Sequence, residues 1–337
     1  MYLYMTPIQK CIVEKSTSTN CVWLMRQAGR YLPEFREIRK QNPDFIKLCL
    51  SENLASEITL QPIERFNFDA AIIFSDILML PYGLTQKVEF EKNFGPKLGE
   101  LDLDKFKNID EVDFSFRLNS VYKAINITSK KINKSDKDLI GFVGAPWTIL
   151  VYMINKISPK KKLSEDFFKD EFLINRLLQI IDKFLKIHIK NQVEAGATII
   201  QIFDSWAGLL DNNIPEYIYI PTLSLVEYVK SLGVPVICFP RGIKDYKNFC
   251  EIVKPDAVNI DYDVNPKKIL KDIRIPVQGG LNPEILLTDK SNLEKEIKYY
   301  LNTFRDHPYI FNLGHGIKPE TKIEMVDILV NTVREFK

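Results

Sequence analysis

Four arginines lie between positions 26 and 39 of a chain whose net charge is only +2. They belong to the stretch Cys21-Val-Trp-Leu-Met-Arg-Gln-Ala-Gly-Arg-Tyr-Leu-Pro-Glu-Phe-Arg-Glu-Ile-Arg39. A guanidinium is a planar fork matched to carboxylate or phosphate, and it stays charged at any physiological pH. Arg36 and Arg39 suit the solvated face of a helix, with Glu34 and Glu37 close enough to neutralise them. Arg26 and Arg30 suit that role poorly, because they flank Gly29 at the end of an apolar run, Val22 to Met25. That end reads as an anion pocket.

Other groups able to do chemistry are few. Asp76 closes the run Ala70-Ala-Ile-Ile-Phe-Ser-Asp76, so its carboxylate is expected in mostly dry surroundings. Burial raises the pKa of such a group, whereas an arginine or donated N–H bonds lower it. It either caps the following turn or accepts N–H bonds and stabilises a developing cation, and spacing does not separate the two. His315 sits in Gly314-His-Gly316, where glycines let the backbone approach a ligand. His188 falls on the Ile181/Leu185 stripe of a helix and reads as a core histidine, while His307, before Pro308, carries no signal. Tyr152 follows Pro146 by six residues, in the second turn of a helix starting at Trp147, where core packing is the usual role. Ser205, in Phe203-Asp-Ser-Trp-Ala-Gly208, is not in a G-x-S-x-G elbow, so no serine nucleophile is expected. The chain has no H-E-x-x-H, Gly-rich phosphate loop or G-x-G-x-x-G.

These residues need elements to gather them. Short, nearly continuous apolar runs recur, the pattern of parallel strands buried on both faces: Val22–Met25, Ala70–Asp76, Leu139–Pro146, Thr198–Asp204, Val234–Phe239, Ala257–Asp261, Ile275–Gly279 and Tyr309–His315. Amphipathic segments alternate with them: Ser51–Phe66, which Pro62 should end or kink, Phe167–Glu194, Glu216–Leu232, Tyr246–Lys254, a helix opened by Asn282-Pro283, and Thr321–Lys337. Eight such units predict an α/β chain folded as a single (β/α)8 TIM barrel spanning residues 1–337. Tyr82–Gly99 breaks the rhythm. The alternation in Lys87-Val-Glu-Phe-Glu, followed by Asn93-Phe-Gly, suggests a hairpin inserted after the second strand. In such a barrel the C-terminal strand ends share one mouth, and here they deliver Arg26, Arg30, Asp76, Asp204, Ser205, Arg241, Asp261, Gln278 and His315, with Tyr152 beyond Pro146. Arginines with one acid and one histidine suit a polyanionic substrate.

Composition narrows the class further. The 337 residues are 45% hydrophobic and 27% charged, ordinary for a globular protein. No apolar run approaches the roughly 20 residues needed to span a bilayer, and the N-terminus lacks the basic start and apolar core of a secretory signal. The five scattered cysteines form no C-x-x-C pair and read as reduced cytoplasmic thiols, with no metal site expected. Near-neutral charge argues against nucleic acid as main partner, and the lysine-rich pieces Lys130–Lys137 and Lys156–Lys162 read as solvated loops.

Two segments, Met25-Arg-Gln-Ala-Gly-Arg-Tyr-Leu-Pro-Glu-Phe-Arg36 and Gly141-Phe-Val-Gly-Ala-Pro-Trp-Thr-Ile-Leu-Val-Tyr152, resemble the signature motifs of the uroporphyrinogen decarboxylases. Phe74-Ser-Asp-Ile77, Phe203-Asp-Ser-Trp-Ala-Gly208 and Asn312-Leu-Gly-His-Gly316 match as well, in the family's order. Departures at Cys21, Ile149 and Asn155 touch none of the groups discussed. The resemblance implies a cytoplasmic homodimer of (β/α)8 barrels acting in haem and chlorophyll synthesis. Such enzymes convert the four acetate side chains of uroporphyrinogen III to methyl groups, giving coproporphyrinogen III and carbon dioxide, with no metal or organic cofactor. By the same resemblance Asp76 accepts the pyrrole N–H groups of this tetrapyrrole. Arg26, Gln27 and Arg30, with the Ala28-Gly29 backbone, hold carboxylates, and Arg39 adds a further contact. Tyr152, Ser205 and His315 complete the pocket, and Arg26, Asp76, Tyr152 and His315 are the catalytic candidates. The proton donor stays open between Arg26, a substrate carboxylic acid and a water relayed through Tyr152 or His315. Two alternatives are a corrinoid-dependent methyltransferase on the same fold, which needs a His/Cys zinc site, and a non-catalytic tetrapyrrole-binding protein. The absence of His-x-Cys speaks against the first, and the intact Asp76 against the second.

Overall fold

The structure, a computed structural model, describes residues 5–91, 94–132, 137–159, 163, 167–212 and 214–337. Among the described residues nine strands follow one another: β1 (Ala70–Ile72), β2 (Val88–Glu91), β3 (Gly95–Leu98), β4 (Asp138–Gly144), β5 (Ile199–Asp204), β6 (Val236–Pro240), β7 (Ala257–Ile260), β8 (Val277–Gly279) and β9 (Tyr309–Ile310). Seven of them form one parallel sheet in the order β1-β4-β5-β6-β7-β8-β9, with helices in most of the crossovers. Residues of β6 and β7 are buried without exception, as strands covered on both faces must be.

The eighth stave differs from the expected strand. Val22–Met25 contributes only a one-residue parallel bridge, Val22 to Phe311. Phe311 N–H donates to the Cys21 carbonyl (2.9 Å), and Asp69 N–H donates to the Val22 carbonyl (3.0 Å). The segment therefore lies between β9 and the start of β1 and closes the cylinder. It leaves the ladder at once because side chains take its amides: Leu24 N–H goes to Gln27 (3.1 Å) and Met25 N–H to Asn312 (2.9 Å). β1 is shorter than its apolar run for a similar reason. Phe74 N–H turns to the Thr59 hydroxyl (2.9 Å), so Asp76 sits in a bend beyond the sheet.

Inside the cylinder a polar layer ties four staves together. Gln278 donates to Gln201 (3.2 Å) and Asn259 (2.8 Å) and accepts from the Trp23 indole (2.9 Å), all four fully buried. The paired amides satisfy most of one another's groups in this dry layer, with Gln201 Nε2 left without a partner. At the opposite end from the mouth, Asp138 accepts from Thr6, Gln9 and Thr198, which pins the helix Pro7–Val13 beneath the barrel. The buried apolar side chains form one contiguous core. Among the described residues no helix is long and apolar enough to cross a membrane.

β2 and β3 pair antiparallel, Val88 opposite Leu98 and Glu91 opposite Gly95. Asn93 of the expected turn lies outside the described residues. The pair docks on the chain after the helix Pro146–Asn155, through Leu98 N–H to the Lys156 carbonyl (2.6 Å) and a bridge between Lys97 and Ile157.

Several helices depart from expectation. Pro62 neither ends nor interrupts the helix Glu52–Phe66, which stops at Asn67 in the left-handed conformation. Asn282-Pro283 opens only a 3₁₀ turn, Pro283–Leu287, and the helix proper starts at the Asp289 cap (Lys290–Thr303). Pro215–Tyr219 is π-helical before the α-helix Ile220–Ser231. Glu34 is near enough to feel Arg36, but its carboxylate hydrogen-bonds Nε and Nη2 of Arg65 instead (2.9 and 3.1 Å), while Glu37 accepts from Gln41. Where they are described, the lysine-rich pieces are not free loops: Lys137 donates to the Phe68 carbonyl (2.7 Å), and Lys156 pairs with Glu100. Residues 133–136 and 160–162 of those pieces lie outside the description.

Candidate active site

Arg26 occupies the turn that follows the closing stave, at φ +58°. A non-glycine residue held in the left-handed region costs on the order of 1 kcal/mol, and that strain needs a cause. The cause is the neighbouring loop. Gln27 N–H closes a turn onto the Leu24 carbonyl (3.0 Å), and Ile317 N–H ties that loop to the Met25 carbonyl (2.9 Å). The Arg26 stem then lies directly against Gly316, where a Cβ atom would come within 2.7 Å of Cγ and closer still to Cδ. Gly314 similarly makes room for Tyr262, whose Cα would stand 2.8 Å from an added Cβ. The two glycines beside His315 thus make room for close protein packing.

This packing brings four of the candidates together. Arg26 lies close enough to Asp76 and His315 to act on both electrostatically. Burial raises the Asp76 carboxyl to about 6, against the pull of the Leu78 N–H (2.8 Å to Oδ1) and of Arg26. The His315 imidazole is depressed to about 4 by burial, then by the cations Arg26 and Arg241, so it is neutral at pH 7. Tyr152, in the helix Pro146–Asn155, is buried; burial raises its hydroxyl, and Asp76 adds to the effect. The phenol accepts from Ser158 (3.3 Å), and its ring meets Trp206 edge to face at 5.8 Å. Ser158 lies in the segment against which β3 docks, which gives the hairpin a role in placing Tyr152.

The loop after Arg26 carries free donors. Among the described residues, the N–H groups of Ala28, Gly29 and Arg30 donate to nothing, and the guanidiniums of Arg26 and Arg30 make no hydrogen bond. Successive unpaired amides between two guanidiniums form an anion-binding concavity. Gln27 is positioned differently from its neighbours. Fully buried, its side chain accepts from Leu24 N–H and donates to the Ala70 carbonyl (3.0 Å), shaping the loop from below. Arg39 is partly committed, with Nη1 donating to the Asn42 (2.8 Å) and Pro43 (3.2 Å) carbonyls and the guanidinium 5.6 Å from the Phe45 ring centre. Phe45 in turn packs on Phe74 (5.7 Å) and on Phe90 of β2 (4.6 Å), an aromatic wall beside the Asp76 bend.

Ser205 is half-buried in the turn after β5. Its neighbour Asp204 is buried, with Oδ1 accepting from Thr148 (2.6 Å) and Oδ2 without a partner. Burial raises that carboxyl to about 7, opposed by the Thr148 hydroxyl and the Trp206 amide. His188 is a core residue as expected, its Nδ1 3.0 Å from the Tyr122 hydroxyl, and His307 faces the Ile275 carbonyl (2.9 Å). The five cysteines are unpaired, and among the described residues no group of three or more His, Cys, Asp or Glu side chains is arranged to hold a metal ion. Gly316, Trp206 and Ser158 were absent from the sequence-based set. Gly316 was legible as a flanking glycine, but nothing in the spacing signalled the other two.

The sequence profile of the family described as Uroporphyrinogen decarboxylase (URO-D) matches residues 5–336. A uroporphyrinogen decarboxylase from Rickettsia bellii is 40% identical over 324 residues, covering 94% of this chain and 95% of its own length. One from Orientia tsutsugamushi is 40% identical over 328 residues, covering 94% of each. A solved methyltransferase from Methanosarcina mazei superposes with a TM-score of 0.80 at 18% identity over 99% of both chains, which speaks to the fold alone. With a profile matched along nearly its whole length and relatives at this identity, the chain belongs to the uroporphyrinogen decarboxylase family.

Proposed function

We propose that this chain decarboxylates the acetate side chains of uroporphyrinogen III to methyl groups, yielding coproporphyrinogen III and carbon dioxide. The observation that carries the reading is the Asp76 carboxylate beside Arg26, next to a loop that offers, among the described residues, the unpaired guanidiniums of Arg26 and Arg30 and free N–H donors. Loss of carbon dioxide from an acetate leaves an electron pair that needs a sink. Protonating the adjacent pyrrole carbon makes the ring itself that sink, so the chemistry requires no cofactor of its own. The protonated ring is cationic, and an anionic Asp76 stabilises it more than the neutral ground state, which lowers the barrier. Once carbon dioxide has left, the exocyclic methylene is reprotonated to a methyl group.

In this reading Arg26, Arg30 and the amides of Ala28 and Gly29 hold substrate carboxylates, Arg39 adds a contact through its free edge, and Gln27 supports the loop. Ser205 lines the pocket between Asp204 and the Trp206–Tyr152 pair. Tyr152 and His315 both keep a proton at neutral pH, the phenol because burial raises it and the imidazole as its neutral form. A water on either is a better proton source than the Arg26 guanidinium, whose acidity is negligible. A cytoplasmic homodimer belongs to the same reading, and five unpaired thiols suit a reducing compartment. The test is release of carbon dioxide from uroporphyrinogen III by the purified chain, with coproporphyrinogen III as product. Tight binding without release would leave a tetrapyrrole carrier in its place.

A further inference from the structure

Apart from three, every arginine of the chain has its guanidinium hydrogen-bonded to a carboxylate, carbonyl or side-chain amide. Among the described residues the exceptions are Arg26, Arg30 and Arg241. The first two already belong to the site. Arg241 follows β6, and counting round the ring from the closing stave places β6 four staves away, across the mouth from Arg26. Its root is fixed: Arg241 N–H is shared by the Asp204 and Phe239 carbonyls (3.1 Å each), and its own carbonyl accepts from Gly208 (3.0 Å). The head is oriented yet unsatisfied. Nε is buried without a hydrogen bond and stands 3.7 Å from Asp261 Oδ2, too far to bond it. Asp261 is itself anchored, with Oδ1 accepting from Tyr262 N–H (2.8 Å).

We propose that Arg241 is a third carboxylate-binding cation of the mouth, gripping the substrate's acid groups on the side away from the Arg26–Arg30 loop, with Asp261 behind it. The inference rests on the decarboxylase reading above. Its chemistry follows from the shape of the ligand: a cyclic tetrapyrrole carries carboxylates on all four rings, so one basic loop cannot meet them all. A buried donor without a partner is costly in the free protein and is relieved when an anion arrives. Arg241 is also close enough to depress His315 from this side, as Arg26 does from the other.

The experiment compares wild type, Arg241→Gln and Arg241→Lys, each followed by thermal unfolding and by steady-state decarboxylation of uroporphyrinogen III. Since the guanidinium makes no hydrogen bond in the protein and only a long ion pair with Asp261 (3.7 Å), both variants should unfold within a few degrees of wild type. Arg241→Gln should lower kcat/KM by about tenfold, carried mainly by KM, the scale of one lost charge-assisted contact. Arg241→Lys should recover part of that loss. An unchanged KM in Arg241→Gln overturns the inference, and so does a collapse of thermal stability in both variants, which would make the residue structural. A wild-type chain that releases no carbon dioxide would instead sink the decarboxylase reading, an outcome separable from either.

Discussion

The Asp76 carboxyl is caught between opposed forces: burial raises it to about 6, while the Leu78 amide and Arg26 hold it down. An anion is what the proposed chemistry needs, so the free enzyme should lose activity as the pH falls through that value. We predict an acidic limb in the pH profile of kcat/KM with an apparent pKa near 6. Removing the neighbouring cation in Arg26→Gln should move the limb to higher pH, because Arg26 favours the ionised form. A limb below pH 5 that ignores the substitution would contradict the electrostatic assignment. Spacing alone left Asp76 open between turn cap and functional group. The structure has it doing the first through Leu78 N–H to Oδ1, with Oδ2 making no hydrogen bond among the described residues and Arg26 near.

Elements explain which parts of the site the sequence revealed. β4 to β7 were legible because strands buried on both faces must be continuously apolar, and their C-terminal ends therefore marked the mouth. The closing stave was over-read as a strand: its side of the pattern is apolar, but Gln27, Asn312 and Asp69 take over its amides. Tertiary contacts of this kind leave no periodicity. The same holds for Ser158 and Trp206, which reach Tyr152 only because β3 docks behind the helix Pro146–Asn155 and the β5 turn folds beside it. One contact between loops yields a direct test. In Gly316→Ala the new methyl displaces the Arg26 stem, so kcat/KM should fall about tenfold while the His315 imidazole, freed of that cation, titrates upward from about 4 in NMR. A His315 titration unmoved by the substitution would show that Gly316 does not seat Arg26.

At the scale of the whole molecule, the mouth is held at a cost in stability. Asp204 is buried with one oxygen unpaired and its carboxyl raised to about 7. A folded-state pKa above the unfolded one means the fold prefers the proton: the stabilisation is present below about pH 4 and is lost as pH rises through about 7. Asp204→Asn should accordingly gain stability over wild type by on the order of 1–3 kcal/mol between pH 5 and pH 8, read from denaturant unfolding at both pH values. A difference independent of pH would show that Asp204 does not titrate in the fold. The barrel thus tolerates strained or poorly solvated groups, Arg26 at positive φ, Asp76 and Asp204, at the end where the ligand arrives. A polyanionic tetrapyrrole that supplies its own electron sink is the ligand proposed to complete that site. The most direct measurement is therefore the rate of carbon dioxide release from uroporphyrinogen III by wild type and by Asp76→Ala, with folding checked by circular dichroism. Asp76→Ala should stay folded and be slowed at least about a hundredfold, the scale of one lost transition-state charge contact; turnover near the wild-type rate would contradict the role given to Asp76.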